Sequence, residues 1–168
     1  METPSGIEVG VDGPRRIIRV TGGGTHLNSS LLKRYACRAL QQKCALIFEL
    51  GGCTYMDSTF LGMLAGLALR CREGGQSRIR VLAASLRVRE LMENLGIVCF
   101  FDFGSGSETA GLGLHPLEDA TPAPSEKTRE VLEAHRTLAA VAPANEMKFR
   151  DVIALLEEEL AAKSPDAP

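Results

Sequence analysis

Tryptophan is absent from this 168-residue chain, and aromatic residues make up only 5% of it. A core must therefore be built from aliphatic side chains and a few phenylalanines. No apolar run approaches the ~18 residues that mark a membrane-spanning helix. The opening Met1-Glu-Thr-Pro-Ser-Gly6 is polar and acidic, unlike a secretory leader. The expectation is a cytoplasmic protein with no membrane span. An excess of either charge is lacking too. The formal net charge is −2, so no direct nucleic-acid partner and no anionic membrane is indicated. The five cysteines (Cys37, Cys44, Cys53, Cys71 and Cys99) form no CxxC pair, and buried reduced thiols are expected. His26, His115 and His135 are scattered without metal-ligand spacing, so neither a metal nor a cofactor is expected. Gly22-Gly23-Gly24 lacks the Gly-Lys-Ser/Thr ending of a phosphate-binding loop and reads as a flexible turn.

What is present has the composition of a globular protein, 45% hydrophobic and 24% charged. Ile7–Val11 and Arg16–Val20 alternate on either side of Asp12-Gly13-Pro14, which is a hairpin pattern. Asn28-Ser29-Ser30 opens a helix with Leu31, Leu32, Tyr35, Ala36, Ala39 and Leu40 on one face. Cys44–Leu50 is apolar except for Glu49, as a strand covered on both faces would be. A helix over 58–73, with Leu61, Leu64, Ala65, Ala68 and Leu69 inward, ends at Gly74-Gly75. Arg78–Ala84 reads as a strand, Ser85 as the cap of a helix through Leu95, and Ile97–Phe101 as the last strand. The order β-β-α-β-α-β-α-β calls for an α/β fold, a mainly parallel sheet with helices packed on it.

Tyr55-Met-Asp-Ser-Thr-Phe-Leu-Gly-Met-Leu64 lies where a buried strand gives way to a helix. Ser58 there is first of all an N-cap, whose hydroxyl can accept from an orphan N–H. The same position suits an anion, because free N–H groups and the positive end of the helix dipole converge on it. Asp57 has no His, Cys or Lys tied to it by motif. No catalytic constellation is present, and no enzyme is expected.

This order of elements, together with Met56-Asp57-Ser58-Thr59-Phe60-Leu61-Gly62, resembles the STAS domain, in particular the bacterial anti-sigma-factor antagonists. Arg19-Val-Thr-Gly22 and Ser85-Leu-Arg-Val-Arg-Glu-Leu-Met-Glu-Asn-Leu-Gly96 resemble further parts of that family. The likeness covers about residues 6–103. It implies a protein that binds an anti-sigma factor that is also a serine kinase, and that is released when the kinase phosphorylates Ser58. A PPM-type phosphatase would reset it. The implied partner-binding set is Asp57, Ser58, Thr59, Phe60, Thr25 and His26. Two departures stand out. Phe60 occupies a place usually held by glycine, and is either a core residue or an exposed anchor. The loop Gly23-Gly24-Thr25-His26 lacks the usual acidic residue.

Residues 104–124 have linker composition and divide a STAS unit (1–103) from a C-terminal helical hairpin extension (125–163). The hairpin's apolar stripes are Val131, Leu132, Leu138 and Ala139, then Phe149, Val152, Ile153, Leu156 and Leu160, with Asn145 as a cap of the second helix. This tail is acidic, through residues such as Glu130, Glu133 and Glu157-Glu158-Glu159. The stripes need cover from their own domain, a second copy in a homodimer, or a partner. The alternative function is a STAS scaffold, not phosphorylated, held in a larger signalling or transport complex through this hairpin.

Overall fold

Gly13, with φ at +55°, turns β1 (Gly6–Asp12) back on β2 (Arg15–Gly24) as an antiparallel pair. From β2 the chain crosses through α1 (Ser29–Gln41) to β3 (Ala45–Glu49), adds β4 (Cys53–Met56), and enters α2 (Ser58–Glu73). Then follow β5 (Ile79–Leu82), α3 (Leu86–Asn94), β6 (Phe101–Gly104), β7 (His115–Pro116), α4 (Pro124–Val141) and α5 (Pro143–Ala162). This computed structural model describes residues 4–118 and 122–164. The sheet order is β6-β5-β3-β2-β1-β7, with β4 paired to the far end of β2. The central ladders are parallel and the β1 side is antiparallel. The α/β class, the mainly parallel sheet and the C-terminal helical extension are as the sequence predicts.

Alternation along the strands divides the apolar residues between two faces. Val9, Ile18, Val20, Leu46 and Phe48 point toward the helices and join one large core with α1 and α2. Ile17, Ile47 and Leu82 point the other way and are covered by Leu112 and Leu114. Glu49, the one charge in its strand, pairs with Arg19 on the adjacent β2.

Four expectations are corrected. The Gly22–Gly24 run is strand, not a flexible turn: it pairs with β4, with an irregularity between Gly22 and Gly23, and Gly22 adopts φ +65°. A Cβ on Gly24 would lie 2.8 Å from the Phe60 ring, so close approach, and not flexibility, calls for glycine there. Second, β4 is a separate strand after β3, too short and too exposed at Thr54 and Tyr55 to show an apolar pattern. Third, Val98–Phe100 form a 3₁₀ turn and the last parallel strand begins at Phe101; a short apolar run carries no period to separate the two. Fourth, the stretch read as linker packs Leu112 and Leu114 on the sheet and supplies β7, paired with β1. Of that stretch, residues 119–121 lie outside the described part.

The hairpin of α4 and α5 folds back on its own domain. Its stripes are used in part within the chain: Leu132, Leu138 and Phe149 are buried and Val152 and Ile153 pack beside them, while Val131, Ala139, Leu156 and Leu160 stay half-buried. α2 is consequently buried on both sides, by the sheet and by α4. Gly62 faces the Ala134 carbonyl so closely that no Cβ would fit. Asn145 does not cap α5, which Ala142 does. It is buried inside the first turn and donates from Nδ2 to the carbonyls of Leu95 and Leu138, both at 2.9 Å. It thereby latches the hairpin to the end of α3.

Candidate functional site: the N-terminus of α2

Asp57, not Ser58, is the N-cap of α2. Its Oδ1 accepts from the Phe60 amide at 2.8 Å, the reach that an extended Asp before a first helical turn provides. Its Oδ2 accepts from the His26 amide at 2.8 Å and from His26 Nδ1 at 3.1 Å. The ring contact requires His26 Nδ1 to carry its proton, since a carboxylate accepts. The Asp57 amide in turn donates to the Gly24 carbonyl at 3.0 Å. One carboxylate thus ties the β2–α1 loop to the α2 terminus.

The loop itself is built by Asn28. Its Oδ1 accepts from the Thr25 amide and its Nδ2 donates to the Gly23 carbonyl, each at 2.9 Å. Thr25 Oγ1 accepts from the Leu27 amide at 3.3 Å, a local turn bond. His26 is left mostly exposed, with 60% of its side chain accessible. Thr25 and His26 therefore do border Asp57 and Ser58, although the loop has no acidic residue.

Ser58 is the first residue of α2 and half-buried. Its hydroxyl does not cap the helix. It lies 3.0 Å from Nε2 of His135 in α4. His135 Nδ1 is 2.7 Å from the Val131 carbonyl. That carbonyl can only accept, so Nδ1 carries the proton and Nε2 accepts from the Ser58 hydroxyl. A serine paired with an imidazole is the opening geometry for nucleophilic chemistry. A separate cavity between α2 and α4, about 20 Å³ and lined by Thr59, Gly62, Glu130 and Ala134 among others, holds about one water. The arrangement binds α4 to α2.

Thr59 and Phe60 are buried, Phe60 completely. The choice left open for Phe60 falls to the core. With α4 seated, neither the Phe60 ring packed against Gly24 nor Thr59 is open to a partner. Sequence reasoning missed three residues. His135 was one of three scattered histidines, and only its i,i+3 placement beside Leu132 and Leu138 marked an inward face. Leu27 and Tyr55 are large apolar side chains that stay exposed, 78% and 44%, next to His26 and just before Asp57.

Charged groups frame the α4 seat. Ser30 donates to the Glu130 carboxylate, and burial pushes the Glu130 pKa up. Glu133 meets Lys33 at 2.8 Å and Arg70 at 3.4 Å. Burial alone would raise its pKa, but these two cations outweigh burial and hold it below the usual glutamate range. Among the described residues no cluster of His, Cys, Asp or Glu could hold a metal ion. No helix there is long and apolar enough to cross a membrane.

A family model described as the STAS domain matches residues 6–110. Two solved structures are similar in fold. One is the anti-sigma factor antagonist SpoIIAA in its unphosphorylated form. It is 19% identical with a TM-score of 0.53, over 61% of this chain and 91% of that one. The other is the Bacillus cell fate determinant SpoIIAA in the phosphorylated form. It is 18% identical with a TM-score of 0.51, over 63% of this chain and 96% of that one. At these identities the likeness is one of fold. No curated protein matches the chain.

Proposed function

The chain belongs to the STAS domain family, and on that premise we propose that it is an anti-sigma-factor antagonist switched by phosphorylation of Ser58. In this reading it binds an anti-sigma factor that is also a serine kinase, and a PPM-type phosphatase restores it. It is a substrate of enzymes and not itself one. The STAS unit extends through β7, and the α4–α5 hairpin is an accessory to it.

The observation that carries the reading is the placement of Ser58. It stands at the first turn of α2, and its hydroxyl is spared from capping because Asp57 does that work. A phosphate on Oγ would add about −1.5 to −2 charges beside free helix N–H groups, which tolerate it. Against a docked partner the same charge adds repulsion and desolvation cost, so the complex is weakened. His26, Leu27 and Tyr55, exposed around Asp57, supply a mixed apolar and polar rim for contact.

The scaffold alternative rests on the altered loop at Thr25 and His26 and on the added helices with their apolar stripes. Those stripes are covered in part within the chain; Leu156 and Leu160 of α5 stay half-buried, and Met147 and Leu155 are its large exposed apolar side chains. A homodimer through the C-terminal helices would have to use that outer face.

The test is capture from a lysate of the organism of origin on wild-type, Ser58→Ala and Ser58→Glu baits, read by mass spectrometry. The expected result is an ATPase-domain protein held by wild type and Ser58→Ala and lost with Ser58→Glu. Identical partners on all three baits would sink the proposal.

A further inference from the structure

We propose that the α4–α5 hairpin is a built-in mask over the Ser58 face, competing in cis with whatever must reach that serine. The inference rests on Ser58 being the modified residue. It adds that the site is closed in the resting chain and must be uncovered first.

Three observations carry it. The Ser58 hydroxyl is already engaged, donating to His135 Nε2 at 3.0 Å. A phosphoryl group on Oγ would need the space that this imidazole occupies. His135 cannot easily turn aside: it is buried, its Nδ1 is held by the Val131 carbonyl at 2.7 Å, and its ring stands edge-on to Phe149 of α5 at 5.3 Å. Second, α4 lies close on α2, with Gly62 against the Ala134 carbonyl, and the cavity between the two helices has room for about one water. Third, the rim of the seat is fastened by polar contacts, Ser30 to Glu130, Lys33 and Arg70 to Glu133, and Asn145 to Leu95, around the buried apolar side chains of Leu138 and Phe149. Bonds of this kind are exchanged for bonds to water at small net cost.

The geometry also sets the direction of coupling. Whatever adds bulk or charge at Ser58 Oγ disfavours the seated state, and whatever lifts α4 favours access to Ser58. By linkage the two effects are equal in free energy.

Two measurements on the full chain test this. In the first, Ser58→Cys is made in a Cys37→Ala, Cys99→Ala background, which removes the half-buried and exposed native thiols. Its reaction with a chromogenic disulfide is followed in native buffer and in urea. The mask predicts a native rate at least about tenfold below the unfolded rate. Ala134→Leu, which wedges the helix seam from the hairpin side, should restore most of it, and Gly62→Leu provides the same wedge from α2. A native rate close to the unfolded one overturns the proposal. In the second, hydrogen exchange of α4 and α5 is compared between wild type and Ser58→Glu. Exchange there should rise about tenfold while β2 and β3 stay protected; unchanged exchange in α4 overturns the proposal. Neither readout needs a kinase or a partner. A failed partner capture therefore counts against the phosphorylation reading alone, and a fast native thiol against the mask alone.

Discussion

Ser58 and His135, 77 residues apart in the chain, share a hydrogen bond of 3.0 Å. It joins the strand–helix corner of a STAS fold to a helix outside the residues that the family model matches. The residue with the strongest regulatory character is therefore in direct contact with the part of the chain that is additional to that match.

Replacing His135 separates the ring's two contributions. His135→Ala loses the bond to Ser58 and the edge contact with Phe149, and should destabilise the chain by about 2–3 kcal/mol. His135→Phe keeps an aromatic edge for Phe149 but leaves the Ser58 hydroxyl and the Val131 carbonyl without that partner, at about 1–2 kcal/mol. Urea midpoints with unchanged slopes would give both values.

Asn145 is a donor between two acceptors. Asn145→Ala should cost about 2–3 kcal/mol, because two buried carbonyls lose their partner. Asn145→Asp should cost more, since a carboxylate would face the Leu95 and Leu138 oxygens. Thermal unfolding of the two variants side by side checks the order; a milder effect for the aspartate would contradict the latch.

The two glutamates Glu130 and Glu133 of α4 are shifted in opposite senses. Glu130 has a raised pKa from burial. Compared with Glu130→Gln, wild type therefore holds its stability below the usual glutamate range and loses it as pH rises through the raised value. Glu130→Gln should melt higher than wild type at neutral pH and converge with it in acid. Glu133 is held low by Lys33 and Arg70 despite burial. Its contribution is present above the usual glutamate range and lost as pH falls through the lowered value. Glu133→Gln should melt below wild type at neutral pH and converge in acid. The effect is small, because the Glu133 side chain is 54% exposed. Melting curves from pH 3 to 8 carry both signs.

Gly24 and Phe60 are coupled by contact. Gly24→Ala places a methyl 2.8–3.0 Å from three ring carbons and should cost about 1–3 kcal/mol. Phe60→Leu should recover part of that cost, so the double variant is more stable than the sum of the singles predicts. A double-mutant cycle with no interaction energy would show that the ring yields freely.

Most of the domain was legible because its elements are periodic and well punctuated. Asp12-Gly13-Pro14, Gly74-Gly75 and Gly96 mark true ends, and Ser85 does cap α3, accepting from the Val88 amide at 3.2 Å. The corner at Asp57 and Ser58 was legible for the same reason. The division of labour there was not, since only geometry shows that Asp57 caps and Ser58 reaches α4. Phe60 and Gly24 lie 36 positions apart, and no local pattern announces their fit. β7 and the Leu112–Leu114 cover were hidden by glycine-rich composition, because two or three apolar side chains suffice to close a sheet face yet make no period. The hairpin's stripes were visible but their partner was not: amphipathicity says that a face is covered, not by what.

β7 hydrogen-bonds to β1, and the Leu117 amide continues that pairing by donating to the Ile7 carbonyl at 2.8 Å. This fixes the chain only a few residues before Pro124, where α4 begins. Those residues span at most about 3.5 Å each, so a lifted hairpin stays on a short leash. Its local concentration over the Ser58 face is then of millimolar order. An outside protein competing for that face must outbid this concentration, and its measured affinity is its intrinsic one scaled down by the fraction of chains that stand open. Cutting the chain between Leu117 and Pro124 would break the leash while leaving every contact of the seated helices in place. It would turn a first-order recapture into a dilutable, second-order one.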